Sequence, residues 1–198
     1  MAELMRAAAS ALEGRFVHLE PLSDAHVKGL AAIGLDETIW QHMPYGDMGD
    51  EADIRRWVRE LLDRATRGTD IPFAVIHLAS GRVAGATRYM DIRPADRGLE
   101  IGGTWYGKEF QRTAVNTECK YLLLRNAFEE MKCIRVQFKT DSRNLRSQRA
   151  IERMGAIREG VLRNHMILPD GTIRHSVYYS ILESEWPGIK GLLEGKLA

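Results

Sequence analysis

The chain has 198 residues, 44% hydrophobic and 28% charged, which suits one folded domain with an ordinary core and leaves little room for a second. Its 28 Lys+Arg against 27 Asp+Glu leave a formal charge of +1, without the basic excess that supplies most of the affinity in a nucleic-acid binder. No apolar run approaches the roughly 20 residues of a membrane span, and two cysteines make neither a disulfide framework nor a zinc site, so a reducing cytoplasm is the expected location.

Met1–Leu12 is Ala-rich but carries Glu3 and Arg6, so it reads as a tail or short helix rather than a secretory signal. We expect a tail over residues 1–13 and a single domain over 14–198. Arg15–Glu20 alternates as a half-buried strand does, and Pro21 closes it. Ser23 opens a helix with Val27, Leu30 and Ile33 on one side. Trp40–Gly49 is irregular. Asp50 has the place of an N-cap for a helix whose apolar positions are Ile54, Trp57, Val58, Leu61, Leu62 and Ala65, stopped by Gly68.

Short strands follow. Pro72–Leu78 and Val83–Ile92 flank the hairpin signal Ser80-Gly81, and Leu99–Tyr106 is the next strand. A helix with a wide apolar face spans about Asn116–Met131, and Ile134–Thr140 alternates as a strand. Asn144 caps a short helix through Arg153, ended by Gly155. Strands near Ile157–Leu168 and Thr172–Leu182 join through Pro169-Asp170-Gly171, and Glu185–Leu193 forms a closing helix. Hairpins combined with one strand–helix–strand crossover predict an α+β fold with a mixed, mostly antiparallel sheet.

One junction carries chemistry. Strand Glu100–Tyr106 leads through Gln111-Arg112-Thr113 straight into a helix. The first N–H groups of a helix lack internal partners and sit at the positive end of its dipole, a ready pyrophosphate site. Thr113, Ala114 and Thr117 are small enough to let phosphate oxygens approach. Downstream stand Asn144, Ser147, Arg149 and Glu152-Arg153-Met154-Gly155-Ala156.

In these features the chain resembles the GNAT superfamily of N-acetyltransferases, in particular its RimJ/RimL-like protein N-acetyltransferase subgroup, over about residues 14–187. The resemblance is carried by Gly14-Arg15-Phe16-Val17-His18-Leu19-Glu20-Pro21-Leu22, by Glu100-Ile101-Gly102, by Asn144 with Ser147, and by the ending Asp170-Gly171, Tyr179-Ser180-Ile181-Leu182 and Glu185-Trp186. It implies that the parallel strands Leu99–Tyr106 and Ile134–Thr140 splay apart and that acetyl-CoA wedges between them, its pantetheine bonding the exposed edge as an added strand. By the resemblance, Thr104, Trp105 and Tyr106 meet the pantetheine, and Gln111, Arg112, Thr113, Ala114, Val115, Asn116 and Thr117 hold the pyrophosphate. Asn144 binds the pantetheine, and Arg149 reaches a phosphate. CoA is the product, the acceptor is an amine on a protein N-terminus or a small molecule, and paired chains suit the family.

Two features depart from the superfamily pattern, the loop and the general acid. Ala114 and Asn116 stand where small residues, usually Gly or Ala, are common; Ala is harmless if the backbone there is helical, and Asn116 must point away or itself bond phosphate. Many members carry a Tyr seven residues after the Asn, where this chain has Ile151, which cannot donate a proton. The RimJ/RimL-like subgroup instead has a Ser three residues after the Asn, here Ser147.

Amine acetylation needs a base for the ammonium proton, a polarised carbonyl and a stabilised leaving thiolate. Glu100 is the candidate base, through water, or else an ordinary strand-edge carboxylate facing solvent. The backbone N–H near Tyr106 is the candidate oxyanion donor. Ser147 helps the thiolate leave, or else satisfies a first-turn backbone donor. Cys119, on an apolar helix face, reads as packing. The six histidines show no metal-ligand spacing, and no metal is expected. Trp40, Met43, Pro44, Tyr45, Arg88 and Tyr89 either line an acceptor cleft or pack over the core. A small-amine acetyltransferase and a non-catalytic acyl-CoA binder are the rival functions.

Overall fold

The computed structural model describes residues 10–198, so most of the expected tail lies outside the described residues. Strands β1 (Leu12–Glu13), β2 (Val17–Pro21), β3 (Ile71–His77), β4 (Arg82–Arg93), β5 (Gly98–Tyr106), β6 (Arg135–Asp141), β7 (Ile157–Ile167) and β8 (Ile173–Leu182) form one sheet in the order β1-β2-β3-β4-β5-β6-β8-β7. Leu12 pairs with Leu19, so the sheet begins two residues ahead of the expected domain start at Gly14. Every neighbour pair is antiparallel except β5–β6, joined by a helical crossover.

The helices are α1 (Val27–Gly34), α2 (Glu37–Trp40), α3 (Glu51–Thr66), α4 (Ala114–Arg125), α5 (Leu145–Glu152) and α6 (Trp186–Leu197). Asp50 caps α3 by accepting the Asp53 N–H at 2.9 Å, as its position predicts. The single turn α2 falls just before the irregular segment, because Asp36 accepts the Thr38 N–H and nucleates a turn there.

Two cores flank the sheet. Leu99, Ile101, Phe138 and Tyr179 face α4 and α6, whereas Ala74, Ala86 and Trp105 face α1 and α3. The long helix expected over Asn116–Met131 starts earlier, at Ala114, and ends as a π-turn over Asn126–Glu130. The cause is Tyr89: its hydroxyl donates to the Leu123 carbonyl at 2.7 Å and accepts from Asn126 Nδ2 at 3.2 Å, an insertion that widens the helical ladder. Tyr89 is fully buried in the α4-side core and therefore lines no acceptor cleft.

Candidate active site

Strands β5 and β6 stay together for only three registers, Gly98↔Arg135, Leu99↔Val136 and Glu100↔Gln137. Beyond them β5 follows β4 as far as Tyr106, and β6 follows β8 as far as Asp141. The carboxyl ends of the two parallel strands therefore part, and α4 starts at the mouth of the opening. In open sheets this is where ligands bind.

Glu100 sits at the fork. It is 1% exposed, accepts from Gln137 Nε2 at 3.0 Å and pairs with Lys139 Nζ at 3.1 Å. The solvent-facing strand-edge reading of Glu100 is thereby corrected: its backbone lies inside the sheet, and its partners come from β6. Next on β5 is a bulge. Ala86 pairs with Trp105 but Arg88 pairs with Gly102, so Gly103 and Thr104 together oppose Thr87, and Gly103 adopts φ +57°. The bulge turns the Thr104 hydroxyl toward α4, where it meets Thr87 Oγ1 at 2.7 Å and Lys120 Nζ at 2.6 Å.

Of the residues expected against the pantetheine, Trp105 and Tyr106 send their side chains into opposite cores. Trp105 packs on Trp40 and Trp57, and the buried Tyr106 hydroxyl lies against the Cys119 thiol. What they offer the gap is backbone. Cys119 is itself fully buried, and burial pushes its thiol pKa up, in keeping with a packing role.

The loop into α4 is ordered by its own side chains. Gln111 donates to the Tyr106 carbonyl at 2.9 Å, and its Oε1 accepts from Arg146 of α5 at 2.8 Å. Arg112 takes φ +62°, and Thr113 caps α4 by accepting the Val115 N–H at 3.2 Å. Ala114 is the first helical residue, so its methyl is accommodated without strain, while Val115 is buried and Asn116 and Thr117 are half-buried. Arg146 was not singled out from the sequence; its partner Gln111 in this loop lies 35 positions away.

Asn144 Oδ1 accepts the Ser147 N–H at 3.0 Å, so the asparagine does the capping and the Ser147 hydroxyl is left without a bond among the described residues. Satisfying a backbone donor is therefore not the task of Ser147. Arg149 is exposed, and its side chain has no polar partner among the described residues.

On the Glu100 face, a groove of about 540 Å³ runs between α3 and β4, lined by Glu60, Arg64, Asp70, Met90 and Asp91 among others. Met90 pairs in register with Glu100, which brings the groove alongside the carboxylate. Tyr45 and Arg88 cover the bulge: a Cβ on Gly103 would meet the Tyr45 hydroxyl at 3.3 Å and Arg88 Nε at 3.2 Å. Arg88 is buried with Asp70 at 3.1 Å. Trp40 and Trp57 are core residues, the indole of Trp40 donating to the Gly34 carbonyl at 2.6 Å. Beside Lys139, His165 bonds Ser176 Oγ at 2.9 Å and Tyr178 at 3.3 Å.

Residues 17–157 match the family described as "Acetyltransferase (GNAT) domain". With that stretch covering most of the chain, and with the forked parallel pair at its centre, the protein belongs to the GNAT acetyltransferase family. Among curated proteins it is similar to "Putative ribosomal N-acetyltransferase YdaF" of Bacillus subtilis (strain 168), 33% identical over 113 residues, which make up 57% of this chain and 61% of that protein. The match thus spans less than two thirds of the relative. A solved GCN5-related N-acetyltransferase from Brucella melitensis is 31% identical with a TM-score of 0.91, covering 100% of this chain and 90% of that one. A "putative acetyltransferase" from T. thermophilus is 40% identical with a TM-score of 0.89, covering 98% of this chain and 100% of that one.

Proposed function

We propose that the chain transfers an acetyl group from acetyl-CoA directly to a primary amine, foremost the α-amine of a protein or peptide N-terminus. The observation that carries this reading is the fork between β5 and β6 with the start of α4 at its mouth. Unpaired backbone along β5 suits the pantetheine amides. The N–H groups at the start of α4, with Arg112 and Arg146 beside them, suit a pyrophosphate. Residues of the loop fit that group, since Ala114 is helical and Gln111 is already braced.

Bound acetyl-CoA supplies the activated acyl group as a thioester. In our reading the backbone N–H near Tyr106 polarises the carbonyl. Glu100 receives the amine proton through water, with Lys139 as its counter-charge. The unspent Ser147 hydroxyl is our candidate donor to the leaving sulfur. The groove beside Met90, about 540 Å³ between α3 and β4, suits a peptide acceptor, and the name of the Bacillus relative points the same way. A small-amine acceptor is favoured by one feature, the cover that Tyr45 and Arg88 place over Gly103. A cytoplasmic location suits this chemistry.

Titration calorimetry with acetyl-CoA, CoA and ATP tests the cofactor, and turnover of N-terminal peptides against polyamines and amino acids tests the acceptor. Binding of both CoA species with ATP much weaker is expected. Absence of CoA binding overturns the transferase reading.

A further inference from the structure

Lys120 is buried in the gap, and nothing in the acetyl-transfer scheme above uses it. Its Nζ donates to Thr104 Oγ1 of β5 at 2.6 Å and stands 5.8 Å from the ring centroid of Phe138 of β6. Both residues lie past the last paired register of the two strands, so the amine bridges the parted strands on the α4 side. Among the described residues it has no carboxylate partner. Glu118 is occupied by the N–H groups of Arg15, Phe16 and Val17, and Glu100 is held by Gln137 and Lys139. The other titratable groups close by are Cys119 of α4 and Tyr106 of β5, both with pKa values raised by burial. Burial pushes the Lys120 amine down to about 8.

An ammonium taken out of water without a counter-ion is costly, and an apolar side chain of similar length would fill the same space more stably. A cation kept in such a place is suited to a negative charge that appears only during the reaction. The geometry points to Lys120 as a positioning residue for the leaving group: acting through the Thr104 hydroxyl, it stabilises the sulfur anion released from the thioester. The inference rests on the acetyl-CoA reading. In the transfer, the amine nitrogen bonds to the carbonyl carbon and the carbon–sulfur bond breaks with its electron pair on sulfur. The amine proton passes through water to Glu100, and amide and thiolate are the products. Thr104 Oγ1 accepts from Lys120, and with Thr87 also donating to it the Thr104 hydrogen is free to turn into the gap. A charge-assisted contact of this kind is strong because the surroundings are dry.

The test is an ultraviolet titration of the CoA thiol bound to the protein, with desulfo-CoA as the blank, for wild type, K120M and K120R. We expect the bound thiol to titrate at least about one unit below free CoA, a tenfold shift. K120M should return it to the free value and lower kcat by about tenfold or more with the KM for acetyl-CoA little changed; K120R should restore part of both. The same thiol titration in wild type and K120M, or a K120M variant that loses affinity and keeps kcat, overturns the inference. If K120M does not fold, T104V keeps the lysine and breaks the link, and a bound-thiol pKa in T104V that stays at the wild-type value overturns it equally. Failure of wild type to bind CoA is a separate outcome, which removes the acetyl-CoA reading and this inference with it.

Discussion

Glu118 closes directly beneath Gly14: a Cβ on that glycine would fall 2.6 Å from the Glu118 carboxyl carbon. The room left by the missing side chain lets the carboxylate accept the N–H groups of Arg15 at 2.8 Å, Phe16 at 2.5 Å and Val17 at 2.7 Å. One buried side chain of α4 thus ties down the entry to β2, which accounts physically for the Gly-Arg start of the domain.

Replacing Glu118 by Ala strands three donors, and hydrogen bonds to a charged group contribute about 1.5–3 kcal/mol each. E118A should lower stability by about 3 kcal/mol or more, and G14A should lower it by forcing the carboxylate away. Thermal unfolding checks both, at about 2–4 °C per kcal/mol for a chain of this size.

Tyr89→Phe keeps the ring packed against Phe73 and removes the hydroxyl that bonds Leu123 and Asn126. A loss of about 1–3 kcal/mol is expected, because the Leu123 carbonyl is left buried without that donor. Urea unfolding measures it, and faster amide exchange at the π-turn over residues 126–130 should accompany it.

Arg112→Gly separates strain from binding. An L-residue in the left-handed region costs about 1–2 kcal/mol relative to Gly, so R112G should unfold at a higher denaturant concentration. If the guanidinium contacts a phosphate, the same variant binds CoA more weakly in calorimetry, and the gap between wild type and variant shrinks with added salt.

Glu100→Gln distinguishes a transferase from a non-catalytic CoA binder. Loss of a general base lowers turnover by about 10²–10⁴-fold, with acetyl-CoA affinity kept, whereas a binder tolerates the change. The variant also leaves Lys139 without its counter-charge, so its unfolding should be measured beside its kinetics.

Two bases contribute to the pH dependence of stability at opposite ends of the range. Burial, with Lys139 and Arg174 nearby, lowers the His165 pKa. The unfolded chain therefore takes up a proton below about 6.5 that the folded chain resists, and stability is complete above that pH and falls as pH drops. Lys120 releases its proton near 8 when folded and near 10.5 when unfolded, so its own contribution to stability rises with pH between those values, against buried Cys119, Cys133 and Tyr106, whose raised pKa values make stability fall as pH climbs. Thermal unfolding across pH should show H165Q making the acid limb shallower and K120M making stability fall more steeply on the alkaline side.

Much of the architecture was legible because its causes are local. The Asp50 and Asn144 caps, the Ser80-Gly81 hairpin with Gly81 at φ +65° and the turn at Gly171 with φ +81° each depend on residues within a few positions of one another. The strand–loop–helix at Gln111–Thr117 was visible for the same reason, and the resemblance in motif order located the fork. Sequence reading did not reveal that β7 lies outside β8 at the sheet edge, since strand order depends on the packing of the whole sheet.

Local pattern misplaces the charged residues of the interior. Glu118 and Lys120 look like the solvent side of a helix, and Glu100 like a strand edge, because an ionisable residue is buried only when a partner exists. Those partners lie 101–103 positions away for Glu118, 16 for Lys120 and 37–39 for Glu100. Local chemistry, written along the chain, settled most of the elements and the Asp50 and Asn144 caps, and brought the start of α4 to within two residues of Ala114. Which charges lie dry at the fork was settled by the meeting of α4, β5 and β6, because desolvation and pairing act between groups that only folding brings together.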